Sequence, residues 1–387
     1  MRIFPESCKV FGKAASVEKL KNWINIWGDD IINIDFFLII AGSLTAEVEG
    51  ISAAGSTPES RRYTAIADTE LLIYGPKMSR KYPLPPLPAG VSPALISFVA
   101  ASWLRIKPKV ISVGLAQKPS FPYLCLESPR LGPSSCLSTG KAMSEERVEN
   151  LWDSGFLIGR KSQKPLLIAE CVPGGTTTAQ AVFTGLGLPV DDLISSSARH
   201  SPVELKKNLI DIGLLNADLS ETYHPRKLIA ALGDPFQAVA VGLLLGARDA
   251  GQPILLAGGC QMLAVLALAL EVVEPGSRSD FVDKISIATT SWLLEELTMK
   301  KNKQSNLKIL INLVGDHYDV DLFGVASGLR FEDSYQRALK DYEKGFVKEG
   351  VGAGALSLLA LLHGATEKEL ISGCEKALND LERNKIL

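Results

Sequence analysis

Short, almost wholly apolar runs recur along the chain, and most end at a glycine or a polar residue. Six runs have this form, at residues 35–42, 109–114, 165–170, 253–258, 284–289 and 307–314. Runs of this length that are apolar on both faces are typical of strands in a buried parallel sheet. Helical patterns lie between several of them, for example at residues 144–159 and 236–250. The alternation predicts an α/β fold with a doubly wound, mostly parallel sheet flanked by helices.

The two terminal segments differ from this pattern. Residues 1–34 carry apolar side chains at helical spacing, including Trp23, Ile24 and Trp27, which predicts an amphipathic helix packed on the body. Residues 331–387 have a helical pattern that is broken near Gly350 and again near Gly364. We therefore expect an N-terminal helical extension (1–34), an α/β core (35–330) and a C-terminal helical segment (331–387). The terminal segments should form a small helical subdomain on the core.

Composition excludes several classes of partner. The chain has 41 Lys and Arg against 43 Asp and Glu, a formal net charge of −2, so it lacks the basic field that attracts nucleic acid. Residues 253–273 approach the length of a membrane span, but a short strand and a buried helix explain the same letters, so no membrane partner is expected. The six cysteines and four histidines are dispersed, which favours neither a metal site nor disulfides. The N-terminus lacks a secretory signal pattern, so a cytoplasmic location is expected.

Glu170 ends one predicted strand and is followed by a loop rich in glycine and threonine. The loop comprises Pro173, Gly174, Gly175, Thr176, Thr177 and Thr178 and leads into a predicted helix. Free N–H groups and the dipole at a helix start stabilise a phosphate or carboxylate, so the loop is a candidate anion site. The alternative is a capped helix in which Thr176 is only the N-cap.

A second glutamate, Glu349, precedes a glycine-rich stretch that contains Gly350, Gly352 and Gly354. The stretch is not a dinucleotide fingerprint, because Ser357 stands where the third glycine would fall. It predicts either close approach of a ligand to a helix start or an exposed glutamate beside a packed turn.

Two further loops are weaker candidates. Gly233 and Asp234 precede a helix, where Asp234 serves equally well as an N-cap. Gly258 and Gly259 follow a strand, where they either touch a ligand or only let a helix approach the sheet. The sequence contains no GxSxG, HExxH or P-loop motif.

In their order and spacing, these loops resemble the nicotinate-nucleotide:dimethylbenzimidazole phosphoribosyltransferase family, in particular a divergent, poorly characterised branch of it. Residues 39–53 are similar to the family's first strand and AEGVSA segment, and residues 169–178 to its GExGIGNTT loop. Residues 232–258 are similar to its glycine-led helix and PVLLDG strand, and residues 348–354 to its GEGTGA segment.

The resemblance implies a Rossmann-like pentosyltransferase of cobalamin nucleotide-loop assembly. Such an enzyme converts nicotinate mononucleotide and 5,6-dimethylbenzimidazole, or a related base, to an α-ribazole-type 5′-phosphate and nicotinate. Glu349 would be the general base and Glu170 would assist it, with a nucleotide and an aromatic base as partners, no cofactor, no metal and a homodimeric assembly. The residues expected to bind substrate are Pro173, Gly174, Gly175, Thr176, Thr177, Thr178, Lys207 (or its neighbour Lys206), Gly233, Asp234, Gly258, Gly259, Gly350, Gly352 and Gly354.

The chain departs from the better-known family pattern at several pocket positions. Ser43 and Leu44 replace an Asp-His pair, Ala257 and Gly258 replace the acidic end of the PVLLDG strand, and Gly175 replaces the asparagine of the GNTT loop. Two alternatives therefore stay open. One is a nucleotide-binding or regulatory protein of the same fold, and the other is a nucleotide hydrolase that releases the base to water.

Overall fold

The strands of the sheet follow the apolar runs of the sequence. The computed structural model describes residues 2–29, 31–78, 81–219, 224–297 and 304–384. Eight strands of this part of the chain form one sheet. They are β1 (Lys9–Phe11), β2 (Asp35–Ala41), β3 (Lys109–Val113), β4 (Leu124–Cys125), β5 (Leu166–Cys171), β6 (Ile254–Ala257), β7 (Ile285–Thr290) and β8 (Gly324–Ser327).

The strand order across the sheet is β1-β8-β7-β6-β5-β2-β3-β4, and every pair except β1 with β8 is parallel. The chain proceeds from β2 outward to β4 and then returns to place β5 on the other side of β2. The order therefore reverses between β2 and β5, where open α/β sheets leave a crevice at their carboxyl edge. The predicted doubly wound, mostly parallel sheet is confirmed.

Helices cover both faces of the sheet. They are α1 (Val17–Trp27), α2 (Pro58–Tyr74), α3 (Ala94–Leu104), α4 (Glu145–Arg160), α5 (Gly175–Gly185), α6 (Val203–Asn216), α7 (Pro225–Leu232), α8 (Pro235–Asp249), α9 (Cys260–Val272), α10 (Arg278–Asp283), α11 (Ser291–Leu294), α12 (Asn306–Tyr318), α13 (Arg337–Lys340), α14 (Ala353–Leu362) and α15 (Glu367–Asn384).

Strand β2 shows why these runs lack an apolar–polar alternation. Its residues Phe37 and Ile39 join the core formed with α4, α5, α7, α8, α9 and α12, whereas Leu38 and Ile40 join the core formed with α1, α2, α3, α14 and α15. Because successive side chains point to opposite faces, a strand that is covered on both sides must be apolar throughout.

The N-terminal segment contributes the predicted amphipathic helix, α1, which buries Trp23, Ile24 and Trp27. It also contributes β1, which pairs antiparallel with β8 at one edge of the sheet. At the other end of the chain, the predicted interruptions near Gly350 and Gly364 separate α13, α14 and α15.

One predicted strand is wrong. Residues 307–314 belong to helix α12, which Ser305 caps by accepting a hydrogen bond from the Lys308 N–H. The buried residues of α12 are Leu307, Leu310, Ile311, Val314, Gly315 and Tyr318. Their spacing is helical, so the amphipathic period outweighs the local apolar character. The strand in this part of the chain is β8, which follows α12 and has only four residues.

The apolar stretch at residues 253–273 is divided as predicted into β6 and the buried helix α9. No helix among the described residues is both long enough and apolar enough to cross a membrane.

Candidate active site

The reversal of strand order opens a cavity of about 370 Å³ at the carboxyl edge of the sheet. Its walls come from the segments that follow β2, β5, β6 and β7, together with residues 84–93 and 347–351. The volume lies in the range of small-ligand sites, and the place is where α/β folds bind them. Both predicted glutamates, Glu170 and Glu349, line this cavity.

Glu170 lies at the end of β5 and keeps much of its hydrogen-bonding capacity for a ligand. Its Oε2 atom accepts a hydrogen bond of 2.8 Å from the Val172 N–H. Burial raises the pKa of the Glu170 carboxyl to about 8, opposed by the Val172 bond and by a bond from the Gln261 side chain, while the charges of Asp234 and Glu349 raise it further. At neutral pH this carboxyl is therefore mostly protonated and able to donate a hydrogen bond.

Glu349 sits in a cage of four donors. Its Oε2 atom accepts from the Thr290 N–H (2.8 Å) and the Thr289 hydroxyl (3.1 Å), and its Oε1 atom from the N–H groups of Gly350 (3.0 Å) and Gly354 (3.2 Å). Burial raises its pKa to about 6, and these hydrogen bonds to the charged form limit the rise. Glu349 is therefore mostly ionised at neutral pH. The sequence left open two interpretations of this segment, and the one in which Glu349 is an exposed glutamate is wrong.

The backbone around Glu349 is strained. Val347, Lys348 and Val351 have φ values of 65°, 63° and 54°, a left-handed region that β-branched residues rarely adopt. Hydrogen bonds hold this conformation, from the Val347 N–H to the Ser197 carbonyl (2.9 Å) and from the Val351 N–H to the Glu170 carbonyl (3.1 Å). Strain of this kind persists where the surroundings fix it, which is common at functional sites.

The glycine–threonine loop forms the start of α5, and its N-cap is Gly174, with φ of 77° and no side-chain cap bond. The alternative in which Thr176 is the N-cap is therefore wrong. Pro173, Gly174, Gly175 and Thr176 line the cavity. Thr177 and Thr178 are buried behind it.

Lys206, and not Lys207, is the lysine next to this loop. The Lys206 Nζ atom donates to Thr176 Oγ1 (3.2 Å) and to the Ser195 carbonyl (3.0 Å). Burial lowers the pKa of Lys206 to about 8. Lys207 is exposed and pairs with Asp191 at 3.6 Å. Neither lysine lines the cavity itself, and Lys206 is linked to it through Thr176.

Asp234 is buried behind the cavity rather than in its wall. It caps α8 in a reciprocal arrangement with Gln237, as the structural alternative predicted. Thr178 Oγ1 donates to its Oδ2 atom at 2.5 Å. Burial raises the pKa of Asp234 to about 6. Gly233 precedes it and also lies outside the cavity wall, so neither residue contacts the cavity as predicted, and Asp234 affects the site only through its charge, which raises the pKa of Glu170.

Some of the remaining predicted glycines line the cavity, and others lie outside its wall. Gly259 and Gly350 line the cavity, whereas Gly258, Gly352 and Gly354 do not. A Cβ atom at Gly354 would lie 2.1 Å from the Thr289 carbonyl carbon, so glycine there allows the contact of α14 with β7 that brings the Gly354 N–H to Glu349. The described residues contain no group of three or more His, Cys, Asp or Glu side chains that could hold a metal ion.

Two parts of the site carried no recognised signal in the sequence, and a third, Lys348, lies in the GEGTGA-like segment but had no predicted role. Gln261, at the start of α9, lines the cavity beside Glu170. Lys348 is buried, and its Nζ atom contacts Glu296 and the Ala198 carbonyl, each at 2.9 Å. Residues 195–197 form another part of the wall. Polar residues in a loop without a motif can be recognised as site residues only when the fold shows them at the place where the strand order reverses.

Known proteins resemble this chain in sequence and in fold. Residues 94–281 match the sequence model of a family described as phosphoribosyltransferase. The structure is similar to the crystal structure of nicotinate-nucleotide-dimethylbenzimidazole phosphoribosyltransferase from Thermus thermophilus, with a TM-score of 0.56 and 19% identity. That similarity covers 87% of this chain and 82% of that chain.

A UPF0284 protein of Prochlorococcus marinus (strain MIT 9313) is 56% identical over 380 residues, which cover 98% of this chain and 94% of that protein. A UPF0284 protein of Crocosphaera subtropica (strain ATCC 51142 / BH68) is 38% identical over 357 residues, 90% of this chain and 93% of that protein. The chain belongs to the UPF0284 protein family. The resemblance to the phosphoribosyltransferase family predicted from the sequence is confirmed by the match of residues 94–281.

Proposed function

We propose that this protein transfers the ribose 5-phosphate of nicotinate mononucleotide to a nitrogen of an aromatic base, 5,6-dimethylbenzimidazole or a related compound. One observation carries the proposal. Two glutamates share the cavity that lies where the strand order reverses. Their surroundings raise the pKa of Glu170 to about 8 but that of Glu349 only to about 6. Separated pKa values of neighbouring carboxyl groups assign one to basic and the other to acidic work at neutral pH.

Glu349, ionised at neutral pH, acts as the general base. It removes the N–H proton of the acceptor base while that nitrogen forms a bond to ribose C1′. The bond from C1′ to the nicotinate nitrogen breaks, its electron pair leaves with nicotinate, and attack from the opposite face gives an α-linked product. A positioned base contributes about 10²–10⁴ in rate.

The four donors around Glu349 set a condition on this step. A carboxylate has about four lone-pair positions, and all four are occupied. Three of the donors are fixed backbone N–H groups, whereas the Thr289 hydroxyl rotates. We therefore expect the Thr289 hydroxyl to turn away when the acceptor N–H approaches Glu349.

The nucleotide is proposed to lie along the start of α5. Gly174, Gly175 and Thr176 present a helix N-terminus to the cavity, which suits the phosphate. Lys206 supplies positive charge next to Thr176. Protonated Glu170 lines the same cavity as this loop and Glu349. It donates a hydrogen bond to the ribose or to the leaving group.

The test is incubation of the protein with nicotinate mononucleotide and a panel of benzimidazoles, purines and phenols. We expect nicotinate release that depends on an acceptor, with an α-nucleotide detected by chromatography and mass spectrometry. Glu349→Gln is expected to lower the transfer rate by about 10²–10⁴.

Other outcomes favour the alternatives. Nicotinate release without an acceptor would indicate a hydrolase. Binding of the nucleotide without turnover, unchanged in Glu349→Gln, would indicate a binding or regulatory protein and refute the catalytic assignment.

A further inference from the structure

Gln261 occupies a space that exists only because residue 175 is glycine. A Cβ atom at Gly175 would lie 2.4 Å from both terminal atoms of the Gln261 carboxamide and 2.5 Å from its Cδ. These distances are far below van der Waals contact, so any larger residue at position 175 must displace the carboxamide. Glycine is also unfavourable within a helix, and Gly175 is the first residue of α5. The close approach of Gln261 gives a physical reason for it.

The carboxamide is buried and polar, and its oxygen is unsatisfied. The Gln261 side chain is 6% exposed and lines the cavity. It lies beside the Glu170 carboxyl and lowers the pKa of that group. Its Oε1 atom has no hydrogen-bond partner among the described residues. A buried acceptor without a partner is costly, so a ligand donor in the cavity would relieve the cost.

Resting on the proposed function, we propose that Gln261 is a specificity-determining residue whose carbonyl oxygen accepts a hydrogen bond from a hydroxyl of the nucleotide's ribose. The placement follows from its neighbours. Gln261 lies between Glu170, which faces the reacting centre, and Gly175 at the start of α5, which faces the phosphate. The ribose joins the reacting carbon, C1′, to the phosphate. Its hydroxyls are the hydrogen-bond donors between these two groups.

The proposal also gives a function to the departure at position 175. Where the better-known family pattern has asparagine in this loop, this chain has glycine, and an amide from α9 enters the vacated space. The amide is supplied from another helix, so it approaches the ligand from the β6 side of the cavity instead of from α5.

The test compares binding of nicotinate mononucleotide with binding of its 2′-deoxy and 3′-deoxy analogues by titration calorimetry. The wild-type protein is expected to bind one deoxy analogue about tenfold more weakly than the ribonucleotide, the loss of one hydrogen bond to a buried acceptor. In Gln261→Met, which retains an unbranched side chain of similar length, that preference should disappear because ribonucleotide binding falls to the level of the analogue. Gln117→Met changes an exposed glutamine outside the cavity and should retain the preference.

Gly175→Ala provides a second variant that leaves Gln261 in the chain but displaces its carboxamide. It should also lose the preference, and it answers the question if Gln261→Met does not fold. A ribose preference retained in either folded variant would overturn the proposal, as would equal wild-type affinity for all three nucleotides.

Transfer measured in parallel separates this proposal from the proposed function. A wild-type protein that shows the Gln261-dependent preference but forms no α-nucleotide supports the inference and refutes the transferase. Transfer by a protein whose preference does not depend on Gln261 supports the transferase and refutes the inference. Absence of nucleotide binding refutes both.

Discussion

Replacement of Glu170 by glutamine should remove a large part of the pH dependence of folding stability. The carboxyl of Glu170 has its pKa raised from 4.5 to about 8, chiefly by burial. Below pH 4.5 it is protonated in both the folded and the unfolded chain and carries no penalty. As the pH rises through 8, the folded chain must hold an ionised carboxylate that the unfolded chain holds in water. The stability is therefore fully present at low pH and is lost as the pH rises.

The size of the loss follows from the shift. Raising the pKa from 4.5 to about 8 makes ionised Glu170 roughly 5 kcal/mol less favourable in the folded chain than in the unfolded chain. Glu349 and Asp234 raise this pKa by their charges and have raised pKa values themselves, so part of the change is shared with them. We expect that Glu170→Gln removes about 3 kcal/mol of the decrease in unfolding free energy between pH 5 and pH 9.

Urea denaturation followed by tryptophan fluorescence measures this difference directly. Curves for the wild-type protein, Glu170→Gln and the exposed control Glu59→Gln are compared at pH 5, 7 and 9. The difference in unfolding free energy between Glu170→Gln and the wild-type protein should shift in favour of the variant as the pH rises. The difference between Glu59→Gln and the wild-type protein should stay constant. Parallel wild-type and Glu170→Gln curves across this range would refute the raised pKa of the carboxyl at the end of β5.

Further predictions concern activity and backbone strain. The rate of transfer should rise with pH as Glu349 ionises near pH 6 and fall as Glu170 loses its proton near pH 8, and a rate profile of Glu170→Gln should lack the alkaline decline. Lys206→Met, which removes the ammonium that contacts Thr176 in the cavity wall, should weaken nucleotide binding in calorimetry by about tenfold or more, whereas Lys207→Met changes an exposed lysine paired with Asp191 and should leave it unchanged. Asp319 ends α12 in the left-handed conformation (φ 55°), so Asp319→Gly should raise the unfolding free energy by about 0.5–1 kcal/mol in urea titrations; a decrease would contradict this account of the cap.

Five of the six predicted strands are present because their signal is unambiguous. A run such as residues 35–41 is apolar at every buried position, which a strand covered on both faces requires. Residues 307–314 show the limit of that signal. A short, largely apolar run fits both a buried strand and a helix, and only the continuing spacing to Tyr318 decides for the helix. The strands β1 and β4 are short and largely exposed, and valine is the only large apolar residue of β8, so none of the three forms an apolar run.

The Glu170 loop was identifiable because it follows a strand, and sequence alone predicts that such positions meet at the carboxyl edge of a sheet. Glu349 follows the short helix α13 and not a strand, so only the family resemblance marked it. The environment of each glutamate was not identifiable. The cage around Glu349 draws its donors from residues 289–290 and 350–354, and the pKa of Glu170 depends on Asp234 in another loop. Lys206 and Lys207 are adjacent in sequence, but they project from α6 in different directions, one into the interior and the other into solvent.

Residues 195–198, which carry no motif, connect the parts of the site that do. The Lys206 ammonium holds the Ser195 carbonyl, and the Lys348 ammonium holds the Ala198 carbonyl. Between these points, the Ser197 carbonyl accepts from the Val347 N–H in the strained backbone beside Glu349. Two buried cations therefore hold a segment of cavity wall, and that segment in turn holds the glutamate loop in a conformation that its valines disfavour. We expect a ligand that draws Lys206 toward its phosphate to move the same segment, and with it the backbone beside Glu349, through residues without a sequence signature.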